Sequence, residues 1–315
     1  MLSRLQVGSG KDWWDSAVLR LPENKRSVYC SYDWVSAAAT LEQGLPELAF
    51  WQDMDGIVLH PYVKRQIPGT KYYDLISAFD FGGWWSEGRL DLLEYDEAYS
   101  YWQRRSDVIS EFVRLHPASD CPTGYDVTRV RDNVCLAAGP SAVNHYDHKL
   151  RTDLRKSRSF GLDIRFVPVE DWVRLYHGSI LDKGRSPYYL FPRGFFEAIW
   201  SRAFCLGAYL PTGELAAAHL YINDRKTMFY FLAASNPGLL YTKPNDAIID
   251  LMLRTCHPPA DRLHLGGGEP ESLMRFKEKF GPGRIPYYVA TRVFNQGIYD
   301  DLPPGASPGR FPRYR

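Results

Sequence analysis

The sequence lacks any run of 18 apolar residues, which excludes a membrane-spanning helix, and Met1 to Gly8 carry no apolar core of signal-peptide length. Both absences predict a soluble, cytoplasmic protein with no membrane partner. Cysteine is sparse. Cys30, Cys121, Cys135, Cys205 and Cys256 are odd in number, scattered and free of CxxC spacing. They imply neither a disulfide framework nor a structural zinc site and read as reduced, packed thiols. No cluster of His, Cys and carboxylate residues has metal-ligand spacing, so metal independence is the expectation. An excess of either charge is missing too. With 38 Lys and Arg against 37 Asp and Glu, the formal charge is +1, which excludes a protein that coats nucleic acid through a global basic field. Any nucleic-acid contact has to be local.

What is present is globular. Apolar residues at 45%, aromatics at 15% and charged residues at 24% rule out wholesale disorder, a collagen-like repeat and a coiled-coil rod. A length of 315 residues makes one large domain or two of about 150 residues each. Tryptophans crowd the first half, at Trp13, Trp14, Trp34, Trp51, Trp84, Trp85 and Trp102. Leu48 to Trp51, the turn Asp53 to Gly56, and Ile57 to His60 predict a β-hairpin, because Asp55-Gly56 supplies the positive φ such a turn requires. From Asp107 to His116 the apolar positions Val108, Ile109, Phe112, Val113 and Leu115 predict a helix stopped by Pro117. Tyr146 to Gly161, with Lys149, Arg151, Arg155, Lys156 and Arg158, predicts a basic helix joining the halves and ended by Gly161.

In the second half, Cys205 to Leu210, Leu215 to Ile222 and Thr227 to Ala234 predict an antiparallel meander, separated by the turn-forming segments 211–214 and 223–226. Asn245 reads as the N-cap of a helix from Asp246 to Arg254. Then Arg262 to Leu265 forms a short strand running into Gly266, Gly267 and Gly268, before a last amphipathic helix from Glu271 to Phe280. The proline- and glycine-rich end reads as a flexible tail. Meander, helix, strand, glycines and helix occur once clearly and once in blurred form. They predict an α+β fold of two copies of one unit, 1–145 and 146–300, with a tail at 301–315.

Four segments, in order, resemble the Fem family of aminoacyltransferases, which are built from two tandem GNAT-like domains of mixed, mainly antiparallel sheets flanked by helices. They are Tyr73-Asp74-Leu75-Ile76-Ser77 with Phe81-Gly82-Gly83; Ser110 to Pro117; Leu154-Arg155-Lys156-Ser157 in the basic helix; and Leu263-His264-Leu265-Gly266-Gly267-Gly268 followed by Leu273 to Lys277 and Phe280-Gly281. Such enzymes move an amino acid from the ester of an aminoacyl-tRNA onto an amine, on a cell-wall precursor or on a peptide or nucleoside antibiotic. The resemblance implies a charged tRNA as co-substrate, a small peptide-like acceptor and no other cofactor; a monomer is expected.

In the family a Phe-Lys pair after the glycine-rich turn holds the catalytic lysine, and here that pair is Phe276-Lys277. An aminoacyl ester is already activated, so attack by an amine mainly requires positioning and stabilisation of the oxyanion, which a cation can supply. The alternative is that Phe276 and Phe280, four apart, form a core stripe with Lys277 and Lys279 solvated. Gly266, Gly267 and Gly268 either let backbone amides approach a phosphate or form a tight strand-to-helix turn. His264 between Leu263 and Leu265 reads as a half-buried strand histidine. Lys149, Arg151, Arg155, Lys156 and Arg158 either meet the phosphates of a tRNA acceptor stem or of a nucleotide-linked acceptor, or form a solvated face interrupted by Asp153. Candidates for an acceptor pocket are Tyr73, Asp74 and Asp80, the carboxylates as possible bases or as turn caps, with Lys183, Arg185 and Tyr189.

Two departures shape the expectation. Ser77-Ala78-Phe79-Asp80 stands where the family has Pro-Tyr-Gly, and between Trp13 and Trp51 there is no Gln-Ser-x-x-Trp pattern of the wall-building members. No long charged heptad segment forms a helical arm. One rival is an acyl-coenzyme A N-acyltransferase, but the nearest Gln/Arg-x-x-Gly-x-Gly/Ala candidate, Arg158 to Asp163, ends in Asp and follows a helix. A non-catalytic scaffold binding peptide or sugar on its tryptophans is the third reading.

Overall fold

The computed structural model describes residues 5–90, 92–255, 260–268, 270–305 and 309–315, so Cys256 lies outside the described residues. The chain forms two compact units, Met1–Val130 with Tyr287–Arg315, and Arg131–Pro286. A single cut near residue 145 therefore does not separate them. The chain enters the second unit at Arg131 and returns to the first at Tyr287, because each unit completes its sheet with a strand remote in sequence.

In the first unit, β1 (Leu5–Gly8), β2 (Leu45–Gln52), β3 (Gly56–Gln66) and β4 (Tyr73–Ile76) are successively antiparallel, and β5 (Trp85–Gly88) also pairs with β3. The hairpin read from the Asp-Gly turn is β2–β3, with Phe50 opposite Leu59. Helices α1 (Lys11–Val18) and α2 (Tyr32–Glu42) come between β1 and β2 in the chain, α3 (Leu92–Arg105) leads to β6 (Val108–Arg114), parallel to β4, and β13 (Arg284–Val293) closes the sheet antiparallel to β6. The expected helix over 107–116 is thus a strand. Flanked by strands on both edges and buried from Val108 to Glu111, β6 carries apolar pairs at Val108-Ile109 and Phe112-Val113 in place of alternation, a spacing that mimics a helix face. Its buried carboxylate is engaged inside: Glu111 Oε2 accepts from the Tyr99 hydroxyl at 3.1 Å and the Tyr125 hydroxyl at 2.6 Å, and Oε1 lies 3.1 Å from His60 Nε2.

The tail is docked where it is described. Leu302, Phe311 and Tyr314 pack with Ile67, Ile109 and Tyr299, and Arg315 Nε donates to Asp74 at 2.7 Å. Sequence composition pointed to a mobile end, but two aromatic rings and a guanidinium with a buried partner outweigh the prolines.

In the second unit, β8 (Asp163–Phe166), β9 (Ala203–Tyr209), β10 (Leu215–Asp224) and β11 (Thr227–Ser235) form the antiparallel meander. Helix α7 (Pro244–Thr255) crosses to β12 (Arg262–Gly266), parallel to β11, and β7 (Asp126–Ala137) closes this sheet through Val134 to Ala137. Antiparallel strands, crossover helix and parallel strand repeat the order β3, β4, α3, β6, so the duplication is present in both units. Helices α4 (His148–Ser159), α5 (Val169–Asp182), α6 (Arg193–Ile199) and α8 (Glu271–Glu278) complete it. Asp147 caps α4 by accepting from the Leu150 amide at 2.6 Å, and Gly161, at φ +65°, follows its end in a left-handed conformation.

Leu150 and Leu154 of α4 bury against Ile248, Ile249, Met252 and Leu253 of α7 and against Leu263 and Leu265 of β12. Asp153, which breaks the basic run in sequence, is buried with them. It lies 3.4 Å from Lys243 Nζ and 3.8 Å from Lys279 Nζ, while Lys279 also pairs with Asp246. These ion pairs tie α4, α7 and α8 together. Among the described residues no helix is long and apolar enough to cross a membrane.

Candidate active site

Strands β11 and β12 pair only from Thr227 to Phe229 and from Arg262 to His264. Beyond that point β11 stays with β10, and β12 shifts register and follows β7. The parting of two parallel strands opens a gap whose borders are Tyr230 on one side and Gly266 and Gly267 on the other. Helix α8, folding back after the glycines, places Lys277 in it. This lysine is 5% exposed; its Nζ donates to the Gly267 carbonyl and lies 5.6 Å from the Tyr230 ring centroid.

The glycines have steric reasons. Gly266 adopts φ +73°, and a Cβ there would sit 3.6 Å from Lys277 Nζ. At Gly267 a Cβ would strike the Arg131 side chain and come within 2.8 Å of Asn133 Oδ1; at Gly268 it would lie 2.7 Å from the Met274 amide nitrogen. The last contact is with helix backbone, so the turn brings β12 against α8 too closely for any side chain. The left-handed φ thus accounts for Gly266, and close packing for Gly267 and Gly268.

Of the two lysines read as solvated in the alternative of a simple core stripe, Lys277 is buried against a carbonyl and Lys279 is half-buried against Asp246. The aromatic half of that alternative stands: Phe276 packs on the core with Phe280, ring centroids 5.8 Å apart, and Lys279 Nζ lies 4.4 Å over it. Phe276 therefore orients the helix, and Lys277 alone of the pair reaches the gap.

Behind Tyr230 stands a polar cluster. The His219 ring meets Tyr230 edge-on at 4.9 Å; its Nε2 is 2.8 Å from Asn245 Oδ1 and its Nδ1 3.2 Å from the Tyr221 hydroxyl, while Ser235 Oγ donates to Asn245 at 3.1 Å. Burial lowers the His219 pKa to about 4, against a smaller raising effect of the Asn245 bond, and burial raises that of Tyr230. At neutral pH both are uncharged. The lysine thus faces a neutral, hydrogen-bonded wall, in which an ammonium stabilises a developing oxyanion more strongly than in water.

Asn245, expected as an N-cap, lies inside α7, which starts at Pro244; its amide serves His219 instead. His264, read as half-buried, is 2% exposed, 3.3 Å from Asn133 Nδ2 and packed on Phe229.

No family model matches the chain, and no curated protein matches its sequence. Solved structures do match in shape. A crystal structure of FemX aligns over 93% of this chain and 98% of its own, with a TM-score of 0.69 at 10% identity. L-PGS from Bacillus licheniformis aligns over 90% and 92%, with a TM-score of 0.57 at 13% identity. A tandem GNAT protein from the clavulanic acid biosynthesis pathway aligns over 92% and 99%, with a TM-score of 0.51 at 11% identity. The fold is α+β and tandem GNAT-like. The strand gap with Lys277 belongs to its second GNAT-like unit.

On this unit Lys149, Arg151, Arg155, Lys156 and Arg158 are all exposed, while Leu150, Asp153, Leu154 and Ser157 of the same helix face inward. Arg151, Arg155 and Arg158 fall at i, i+4 and i+7 on one stripe. Lys183, Arg185 and Tyr189 follow α5 on an exposed segment, where the Tyr189 carbonyl accepts from the Tyr176 hydroxyl.

Tyr73, Asp74 and Asp80 belong to the first GNAT-like unit. Asp74 is fully buried, one oxygen 2.8 Å from Arg65 Nε and the other bonded to Arg315, so it faces two guanidiniums where an acceptor-pocket base would need open space. Asp80, at φ +77°, accepts from the Tyr29 hydroxyl at 2.9 Å, and Tyr73 lies under Lys64 Nζ at 4.7 Å. Sequence reasoning missed Tyr230, His219 and Asn245, whose convergence depends on strand register. Among the described residues no group of three or more His, Cys, Asp or Glu side chains could hold a metal ion.

Proposed function

We propose that the chain is an aminoacyltransferase that moves an amino acid from the ester of an aminoacyl-tRNA to the amine of a small peptide-like acceptor. The observation that carries the reading is the burial of Lys277 in the strand gap, at the position where the Phe-Lys pair of the resembled family falls. In this reading the ester carbonyl enters the gap, the acceptor amine attacks, and the Lys277 ammonium stabilises the oxyanion of the tetrahedral intermediate. Neutral Tyr230 and His219 exclude competing charge. The ribose of the terminal adenosine leaves as the ester bond breaks and the amide forms. Five exposed cations on α4 give the local grip on acceptor-stem phosphates that a +1 chain otherwise lacks. Charged tRNA is then the only co-substrate besides the acceptor, and the chain acts as a monomer.

The second reading, transfer from an acyl-coenzyme A, is favoured by the GNAT-like fold itself. Against it stands the β11–α7 connection, where such enzymes cradle pyrophosphate: Ser235 to Lys243 lacks the Gln/Arg-x-x-Gly-x-Gly/Ala pattern. Transfer assays with total charged tRNA and a panel of wall precursors and peptidyl nucleosides separate the two. RNase should abolish product. Product that survives RNase and is supported by acetyl-coenzyme A would replace the first reading with the second.

A further inference from the structure

A cleft of about 490 Å³ in the second unit lies between α5, the β9–β10 turn and the end of β11. From α5 it is lined by Asp171, Leu175, Gly178 and Asp182, whose spacing of 4, 3 and 4 residues puts them on one helix face, with Arg174 and Ser179 beside them. Tyr209, Gly213, Leu215 and the segment 235–237 form the opposite wall.

Three observations mark it as a built site. Ser179 is 3% exposed, and among the described residues its Oγ has no hydrogen-bond partner, a state that buried hydroxyls rarely keep unless something else meets them. Gly178 sits inside a fourteen-residue helix, where glycine is among the poorest formers, and a Cβ there would touch nothing within 4 Å. Packing does not require this glycine; its missing side chain keeps the cleft open. Gly213, by contrast, is explained by its turn conformation at φ +88°. The charge is the third mark. Arg174 donates to Asp171 at 3.0 Å, while Asp182 makes no ion pair among the described residues, so the lining carries one carboxylate in excess.

We propose that this cleft binds the ammonium group of a small, amino-acid-sized primary amine. The ammonium would donate to the Asp182 carboxylate and to Ser179 Oγ, with the alkyl part against Leu175 and Leu215. An ammonium has three donors and no acceptor, which matches a carboxylate and a hydroxyl better than a neutral amide does. The inference deepens the transferase reading, on which it rests only for what the bound amine does next; in that reading the cleft holds the amine-bearing co-substrate.

The test is titration of the full chain with L-alaninamide and with N-acetyl-L-alaninamide, followed by calorimetry or ligand-observed NMR. The free amine should bind saturably, and the acetylated one, which lacks the cation, at least tenfold more weakly. Asp182→Asn should weaken binding about tenfold. Gly178→Leu should abolish it without lowering the thermal midpoint, since leucine is the better helix former and the space is open. Lys277→Ala should bind as the wild type does. Absence of saturable binding by L-alaninamide, equal binding of the two probes, or unchanged affinity in both cleft variants would overturn the proposal. A chain that binds the amine yet transfers nothing contradicts the transferase reading alone; one that transfers without binding it contradicts only this one.

Discussion

Replacing Lys279 by alanine should cost a large share of the second unit's stability while leaving the reacting gap chemically intact. Lys279 Nζ pairs with Asp246 and stands 3.8 Å from Asp153, both carboxylates being buried. Removing one partner of a buried pair leaves an uncompensated charge, at about 3–5 kcal/mol, a large share of a typical 5–15 kcal/mol of stability. Burial raises the Asp246 pKa, and Lys279 is the largest influence lowering it again. In Lys279→Ala the raised value should climb further. Between the unfolded pKa and this folded one the native state holds a proton that the unfolded state does not, so stability falls as pH rises through the window. The deficit against wild type should therefore be largest at pH 7 and shrink as pH drops toward 5. Urea unfolding by circular dichroism at several pH values measures this. Lys279→Met, which keeps the apolar stem, should behave alike, and adding Asp246→Asn should restore much of the loss. A deficit below about 1 kcal/mol, or one that does not change with pH, would refute the reasoning.

Two further outcomes are expected. The folded pKa of His219, about 4, lies below the unfolded value of about 6.5, so its neutral, buried state stabilises above pH 6.5, and roughly 3 kcal/mol is lost as pH falls toward 4; His219→Gln should flatten that acid limb of the stability curve. Gly268→Ala, whose Cβ would lie 2.7 Å from the Met274 nitrogen, should cost about 1–3 kcal/mol by overpacking and lower turnover by shifting α8, which wild-type melting and rate would contradict.

Much of the second unit was legible because its short apolar runs are separated by Pro-Thr-Gly and Asn-Asp turn chemistry at the right places. The same logic misread β6, where burial on both faces erased the period of two. The unit boundary was illegible for another reason: β13 and β7 join sheets far from them in sequence, and no local pattern records such a pairing. Composition likewise misjudged the tail, since Arg315 bonds Asp74 and Phe311 stacks on Phe112, each more than a hundred residues away. At the site, Lys277 was found by its place after Phe276 and the glycines, and its burial then separated it from the solvated reading. Tyr230 and His219 carried no signal and Asn245 read as a helix cap, because polar residues inside strands and helices announce a partner without naming it. Asp74 misled in the opposite sense, a turn-like carboxylate that is a structural anion between two arginines.

Turnover of Lys277→Ala, measured with charged tRNA and the acceptor that supports transfer by the wild type, tests the account most directly. Loss of one oxyanion donor lowers kcat by about 10²–10³, and the lost charged bond to the Gly267 carbonyl removes about 1.5–3 kcal/mol of stability. The variant should therefore stay folded, with a modestly lowered melting point, and turn over at least a hundredfold more slowly. A folded Lys277→Ala protein with near-normal turnover would contradict the central claim.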